Sequence, residues 1–267
     1  MLVVGEKINT SRNEVKEAVK KRDAGFIRQL ARRQHEAGAD YIDVNCGTFV
    51  GEEAELLSWM VKEVQQELGD MPVCIDSPDP AAVEAAMKVH KGIPLVNSIS
   101  GEKDRFEALE PLVVKYDCKI VVLCMDDEFG IPPDAETRFS IASRIIDSMT
   151  AKGVNPDNIY VDPLIQPISV DVKNGLSAAE TINMVKKRYP QTHAICGLSN
   201  ISYGLPERKL LNQSYLVICA AYGLDAVILD PEDKRMMAMV HAAEALLARD
   251  PYCGGYLQAY RKGILKI

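Results

Sequence analysis

A chain of 267 residues with 47% apolar side chains carries enough hydrophobic surface to bury a sizeable core, which excludes disorder. A formal net charge of -7 excludes a nucleic-acid-binding face, because phosphate recognition needs a basic surface. No apolar run reaches the length of a membrane span, and Met1 opens into a strand with Glu6 and Lys7 rather than a secretion signal. The seven cysteines are scattered and odd in number, with Cys74, Cys124 and Cys196 in or at the end of expected strands. That pattern predicts reduced thiols and a cytoplasmic location. The basic cluster Arg261, Lys262 and Lys266 reads as a solvated helix end.

Apolar runs begin near residues 2, 41, 72, 94, 119, 159, 192 and 226, and seven of them lead to an acid or an amide. Val3-Val4 leads to Glu6 and Asn9, Tyr41-Ile42 to Asp43 and Asn45, and Val73-Cys74-Ile75 to Asp76. Leu95-Val96 leads to Asn97, Ile159-Tyr160-Val161 to Asp162, Ile195-Cys196 to Ser199 and Asn200, and Val227-Ile228-Leu229 to Asp230. Helical periodicity fills the stretches between runs, as parallel connections require. Leu56, Met60, Val61 and Val64 form a helical stripe, with Glu52, Glu53 and Glu55 at its dipole-favoured start. Asp79-Pro80 predicts an N-cap and a first-turn proline, and Ser177-Ala178-Ala179-Glu180 has capping-box spacing. Eight alternations predict a (β/α)8 TIM barrel, a fold of roughly 250 residues, forming one domain over 1–267. A doubly wound sheet would need a Gly-rich phosphate turn, which Gly5-Glu6-Lys7-Ile8-Asn9-Thr10 lacks.

In a barrel those strand ends converge into one polar cup, the place to look for function. Other chemistries lack their motifs. His35, His90, His193 and His241 are far apart, no cysteine pair has ligand spacing, and there is neither a G-x-S-x-G elbow nor a Walker loop. The expected site therefore has no metal; the alternative is a zinc site assembled from distant positions, for instance His193 with Cys46 and Cys124. Hydrogen bonding and electrostatics remain. A carboxylate accepts side-by-side N–H and NH2 groups, the donor pattern of an aminopyrimidinone ring. Asp76 and Asp162 directly follow buried runs and are the natural acceptors, with the Asn97 amide able to donate to or accept from the same ring. Capping and turn roles account for any one of these residues taken singly.

Five blocks carry a resemblance: Gly5-Glu6-Lys7-Ile8-Asn9, Cys74-Ile75-Asp76-Ser77, Val96-Asn97-Ser98, Tyr160-Val161-Asp162-Pro163-Leu164 and Gly197-Leu198-Ser199-Asn200-Ile201-Ser202. Together they resemble the pterin-binding methyltransferases. That group includes the methyltetrahydrofolate:corrinoid/iron–sulfur protein methyltransferase and the folate module of cobalamin-dependent methionine synthase. The similarity runs from the first strand to about residue 255. It implies a TIM barrel, commonly homodimeric, that binds tetrahydrofolate or 5-methyltetrahydrofolate at the strand C-termini. It implies that Asp76, Asn97 and Asp162 hold the pterin, with Glu6, Asn9 and Ser199 in the binding set. Asn200 would stand at N5, donating more strongly as the methyl group leaves.

The methyl group would pass between N5 and the cobalt of a corrinoid. Corrinoid carriers of this type present a D-x-H-x-x-G motif, and no histidine here follows an Asp by two positions. The resemblance therefore implies a separate corrinoid-binding protein docking over the cup, with 126–133 and 203–208 as rim. Tyr203-Gly204-Leu205-Pro206 departs from the Gln or Asn common there in the family, so the resemblance does not extend to folate-tail contacts or partner choice. Two rivals stand beside this reading. Dihydropteroate synthase shares the barrel, but its last strand ends in an anion-binding R-x-H, whereas Leu229-Asp230-Pro231-Glu232 is expected to repel a pyrophosphate. A non-catalytic pterin-binding subunit would carry the same ring acceptors.

Overall fold

A computed structural model describes residues 1–266. In chain order the elements are β1 (Leu2–Asn9), α1 (Asn13–Lys20), α2 (Ala24–Glu36), β2 (Tyr41–Asn45), α3 (Glu53–Leu68) and β3 (Val73–Asp76). They continue with α4 (Pro80–Val89), β4 (Leu95–Gly101), α5 (Lys103–Tyr116), β5 (Lys119–Asp126), α6 (Ala135–Ala151) and β6 (Ile159–Asp162). The last are α7 (Asn174–Arg188), β7 (His193–Ala194), α8 (Arg208–Tyr222), β8 (Ala226–Leu229), α9 (Lys234–Leu246) and α10 (Gly254–Arg261).

All neighbouring strands pair in parallel, in the order β7-β6-β5-β4-β3-β2-β1-β8. The ring closes where Gly197 bridges Ile228 and the Ile228 N–H donates to the Cys196 carbonyl (2.9 Å). The expected (β/α)8 barrel is the observed fold, and every strand begins within a residue of its expected start.

The helices differ from expectation in three ways. The first connection is split into α1 and α2 at a turn where the Asp23 carboxylate accepts from the Phe26 N–H (3.0 Å), and α10 is appended after α9. The capping box at Ser177 does not form: α7 begins at Asn174, and the Ser177 hydroxyl donates to the Pro133 carbonyl (2.6 Å). The Asn174 amide is drawn to the Pro167 carbonyl (2.9 Å), so tertiary anchoring sets this helix start. Asp79 caps α4 as expected, accepting from the Ala81 N–H (2.9 Å).

Strand side chains alternate between two environments, as a period of two dictates. Ile42, Val44, Val96, Val122 and Val161 face outward and pack against helices, where the stripe of Leu56, Met60, Val61 and Val64 is buried. Inward, Val4, Tyr41, Cys74, Leu95, Val121, Tyr160, Ile195 and Ala226 form a separate apolar cluster, one from each strand or its immediate extension. This cluster is the floor of the site. It seals the barrel interior, and the next inward position along each strand faces the open C-terminal end.

Candidate active site

Two residues beyond the floor, the inward positions are Glu6, Asp43, Asp76, Asn97, Leu123, Asp162, Gly197 and Ile228. Four acids and an amide thus point inward above an apolar floor, with Asp43 in register with Cys74 and Asp76 one inward step beyond it. Strand register tightens part of this set into a row: Asn9 pairs with Asn45, Asn45 with Asp76, and Asp76 with Asn97. The Asn45 amide donates to Asp76 Oδ2 (2.9 Å), leaving Oδ1 for another donor. Asp162 lies on the far side of Asn97, and its Oδ1 accepts from the Leu164 N–H (2.7 Å).

Burial raises the acids of the cup, because removing water disfavours the charged form. Burial takes Asp76 to about 6 despite the Asn45 amide and the Arg105 guanidinium, with Glu53 adding to the rise. Asp162 likewise reaches about 6 through burial, opposed by the Leu164 N–H and Arg138. Burial raises Glu6, with Asp230 adding to the rise and Arg12 and Lys7 opposing it. Asp43 is pushed well above the carboxylate range by burial and then by the charge of Asp76. Acids held like this are weakly solvated, and a ligand presenting N–H donors would relieve them.

Helix-borne side chains fix the walls. Arg105 of α5 donates twice to the Ser98 carbonyl (2.9 and 2.7 Å), next to Asn97. The Ser77 hydroxyl donates to Glu53 of α3 (2.6 Å), anchoring the turn after Asp76. Arg208 of α8 donates to the Ser199 carbonyl (2.7 Å) and the Ser202 hydroxyl (3.1 Å), strapping the short 3-10 helix Leu198–Ser202. That strap holds Asn200 at the mouth, where it is exposed and its amide has no hydrogen bond among the described residues. On the rim, Phe129 and Ile131 are exposed, and Tyr203 is 66% exposed beneath Arg208, whose guanidinium lies 6.0 Å from the ring centre.

The structure therefore brings Asp76 and Asn97 into register, points Asp162 into the same end of the barrel, and leaves Asn200 exposed at the mouth. Glu6 and Ser199 line a cavity of about 180 Å³ against β8. Asn9 is in the row, but its side-chain oxygen accepts from the Ser11 N–H (2.9 Å), a turn role. Sequence reasoning left Asp43 and Asn45 out of the set, although both follow from alternation with Tyr41. It also missed Arg105 and Arg138, and placed Arg208 only at the end of the rim.

Two expectations are corrected. His193 opens β7 at the N-terminal end, with Asp225 (3.1 Å) and Asp157 (3.2 Å) beside its ring, so it cannot join Cys46, which follows the C-terminal end of β2. Among the described residues no group of three or more His, Cys, Asp or Glu could hold a metal ion. The acids after β8, expected to repel a pyrophosphate, carry their own cations. Lys7 bridges Asp230 and Glu232, and Arg33 binds Glu232 as well, so both charges are balanced.

The sequence profile described as pterin-binding enzyme matches residues 5–230, from the first strand to the end of the last. The chain belongs to the pterin-binding enzyme family. Within the family it is 37% identical over 264 residues to a methylcorrinoid:tetrahydrofolate methyltransferase of Eubacterium limosum, across 98% of this chain and 97% of that protein. It is 28% identical over 262 residues to a methionine synthase of Mycobacterium tuberculosis, where the match spans 90% of this chain but 22% of the longer protein. Solved structures sharing the pterin-binding fold include Yersinia pestis DHPS with a pterine-sulfa conjugate, at 17% identity and a TM-score of 0.66 over 92% of this chain and 94% of that one. A Thermus thermophilus dihydropteroate synthase aligns at 20% identity with a TM-score of 0.66, again over 92% and 94%. At such identities the likeness is one of fold. Among the described residues of this pterin-binding enzyme, no helix is long and apolar enough to cross a membrane.

Proposed function

We propose that this enzyme transfers a methyl group between the cobalt of a corrinoid, carried on a separate protein, and N5 of tetrahydrofolate. The observation that carries the reading is the paired row of ring acceptors in a chain similar, end to end, to a methylcorrinoid:tetrahydrofolate methyltransferase. Asp76 and Asp162 accept the ring's N–H and NH2 donors, Asn97 bonds the ring between them, and Glu6, Asn9 and Ser199 complete the pocket. Asn200 donates to N5 from the mouth. Its amide gains most when the departing methyl group leaves an electron pair on nitrogen, so it stabilises the transition state more than the ground state.

The corrinoid is substrate here, presented by its own protein over the open rim of Phe129, Ile131 and Tyr203. A homodimer belongs to the same proposal and is read by sedimentation equilibrium. Dihydropteroate synthesis is disfavoured because β8 ends in Leu229-Asp230-Pro231-Glu232 rather than an R-x-H, and Lys7 and Arg33 beside it are already paired with Asp230 and Glu232. The test supplies methylated corrinoid protein and tetrahydrofolate, follows the cobalt spectrum, and assays 5-methyltetrahydrofolate. Formation of both products supports the reading. Tight folate binding without transfer to or from any methylcorrinoid would instead favour a non-catalytic pterin-binding subunit.

A further inference from the structure

Asp43 has no part in ring binding as proposed, yet it lies directly beneath the ring acceptors. It points inward from the middle of β2, between Tyr41 of the floor and Asn45 of the row. It is 3% exposed, and its Oδ1 has no hydrogen-bond partner. Cys74 and Asp76 face it from β3, Asn97 from β4 and Glu6 from β1. Only the Cys74 thiol and the Asn97 amide can donate to it, and the other two groups are acids. The nearby cations are directed elsewhere, Arg105 at the Ser98 carbonyl, Lys7 at Asp230 and Glu232, and Arg12 at Glu14. An ionised carboxylate here would be repelled by two acids, lack a counter-ion and leave one oxygen unsatisfied. The neutral acid avoids the first two penalties and lowers the third, because an uncharged oxygen costs less to leave unpaired.

Methyl transfer requires such a proton. When the N5–CH3 bond breaks toward the cobalt, its electron pair stays on N5, and N5 must gain a proton. In the other direction, the N5 lone pair takes the methyl group and N5 loses its proton. The Asn200 amide can hydrogen-bond to N5 but supplies no net proton. Asp76 and Asp162, each at about 6, are mostly anionic at neutral pH and are occupied as ring acceptors. Lys7 and Arg12 oppose the rise of Glu6, whereas no cation opposes that of Asp43.

We propose that Asp43 is the proton store of this site, a neutral acid whose proton goes to N5 as the methyl group leaves and returns to Asp43 when the methyl group comes back. The inference rests on the methyl-transfer reading. With a carrier seated over the mouth and bulk water excluded, a store beneath the ring would supply the proton.

Asp43→Asn preserves size and neutrality while removing the transferable proton. The infrared difference between wild type and this variant at pH 7 should show a protonated-carboxyl stretch present only in the wild type. Single-turnover methyl transfer should fall about 10²-fold, the range for losing one general acid, with folate affinity held near the wild-type value. In Asp43→Ala, added formate should restore part of the rate, which a purely structural role would not allow. Absence of the infrared band, an unchanged transfer rate, or an affinity loss as large as the rate loss would each overturn the proposal. A wild-type chain that transfers no methyl group at all would overturn the function itself, and the infrared arm would still report separately whether Asp43 holds a proton.

Discussion

At the N-terminal end of the barrel, Asp225 accepts from Lys186 (2.9 Å) and the Ala194 N–H (2.8 Å) and lies 3.1 Å from the His193 ring nitrogen. Asp40 accepts from the Val3 N–H (2.8 Å), and Glu244 binds the N-terminal amine (2.6 Å). At the C-terminal end, by contrast, Asp43 keeps an unpartnered oxygen, and Asp76 and Asp162 each have a single close donor among the described residues. The titration of the two ends diverges accordingly. Burial pushes Asp225 up, but His193, Lys186 and the Ala194 N–H outweigh it and hold the carboxyl below its usual range. Asp76 and Asp162 rise to about 6. Both ends are partly buried, so burial alone does not separate them. The difference lies in whether the chain supplies the donors itself or leaves them to a ligand, and in this barrel only the C-terminal end leaves them open.

The sharpest attempt to break the contrast is at Asn200. If the mouth contributes in the transition state, Asn200→Ala should lower single-turnover transfer by about 10²–10³, the range for one preorganised donor. Folate affinity should fall less, because N5 bearing a methyl group is a weak acceptor before bond breaking. Equal losses in both quantities would make Asn200 an ordinary binding or turn residue.

A smaller effect comes from pH. Ring binding needs Asp76 and Asp162 as anions, and both protonate near 6. Affinity for 5-methyltetrahydrofolate should therefore drop about 10-fold per group between pH 7 and pH 5. Calorimetry across that range that returned a flat affinity would separate these acids from the ring.

The smallest effect belongs to the other end. The bond to Asp225 raises His193, with burial opposing, so the imidazolium stabilises the folded chain. That stabilisation is fully present below the unfolded value near 6.5 and is lost as pH rises through the raised folded value. His193→Gln should remove about 1 kcal/mol or less at pH 6 and nearly nothing at pH 9, as read by urea unfolding at the two pH values.

Much of this contrast was legible in the chain. The eight runs and their terminal acids and amides depend on period-two alternation and strand length, which are local properties. Asp76, Asn97 and Asp162 stood out because each closes an apolar run. Asp43 also follows an apolar run, but it lies inside a strand, and its inward direction follows only from Tyr41 and Asn45 on the same face. Arg105, Arg138 and Arg208 make contacts that were illegible for a different reason. Each sits on a helix, and its reach to Ser98, Pro132 or Ser199 depends on how that helix packs against the barrel. The misplaced start of α7 has the same origin, since Asn174 and Ser177 bond to carbonyls of other segments.

A crossed pair of variants tests the division of labour between the two ends most directly. Asp162→Asn and Asp225→Asn are each measured at pH 7 for thermal unfolding without ligand and for 5-methyltetrahydrofolate affinity. An acid raised by burial destabilises the ligand-free chain above its folded value, so Asp162→Asn should gain about 1 kcal/mol of stability. The same variant should lose about 2–4 kcal/mol of folate affinity, because an amide cannot replace a charged acceptor for two ring donors. Asp225→Asn should do the reverse, losing about 1 kcal/mol of stability with affinity unchanged. If instead Asp162→Asn destabilises the chain and leaves folate affinity intact, Asp162 is a structural residue and the C-terminal cup is not the pterin site.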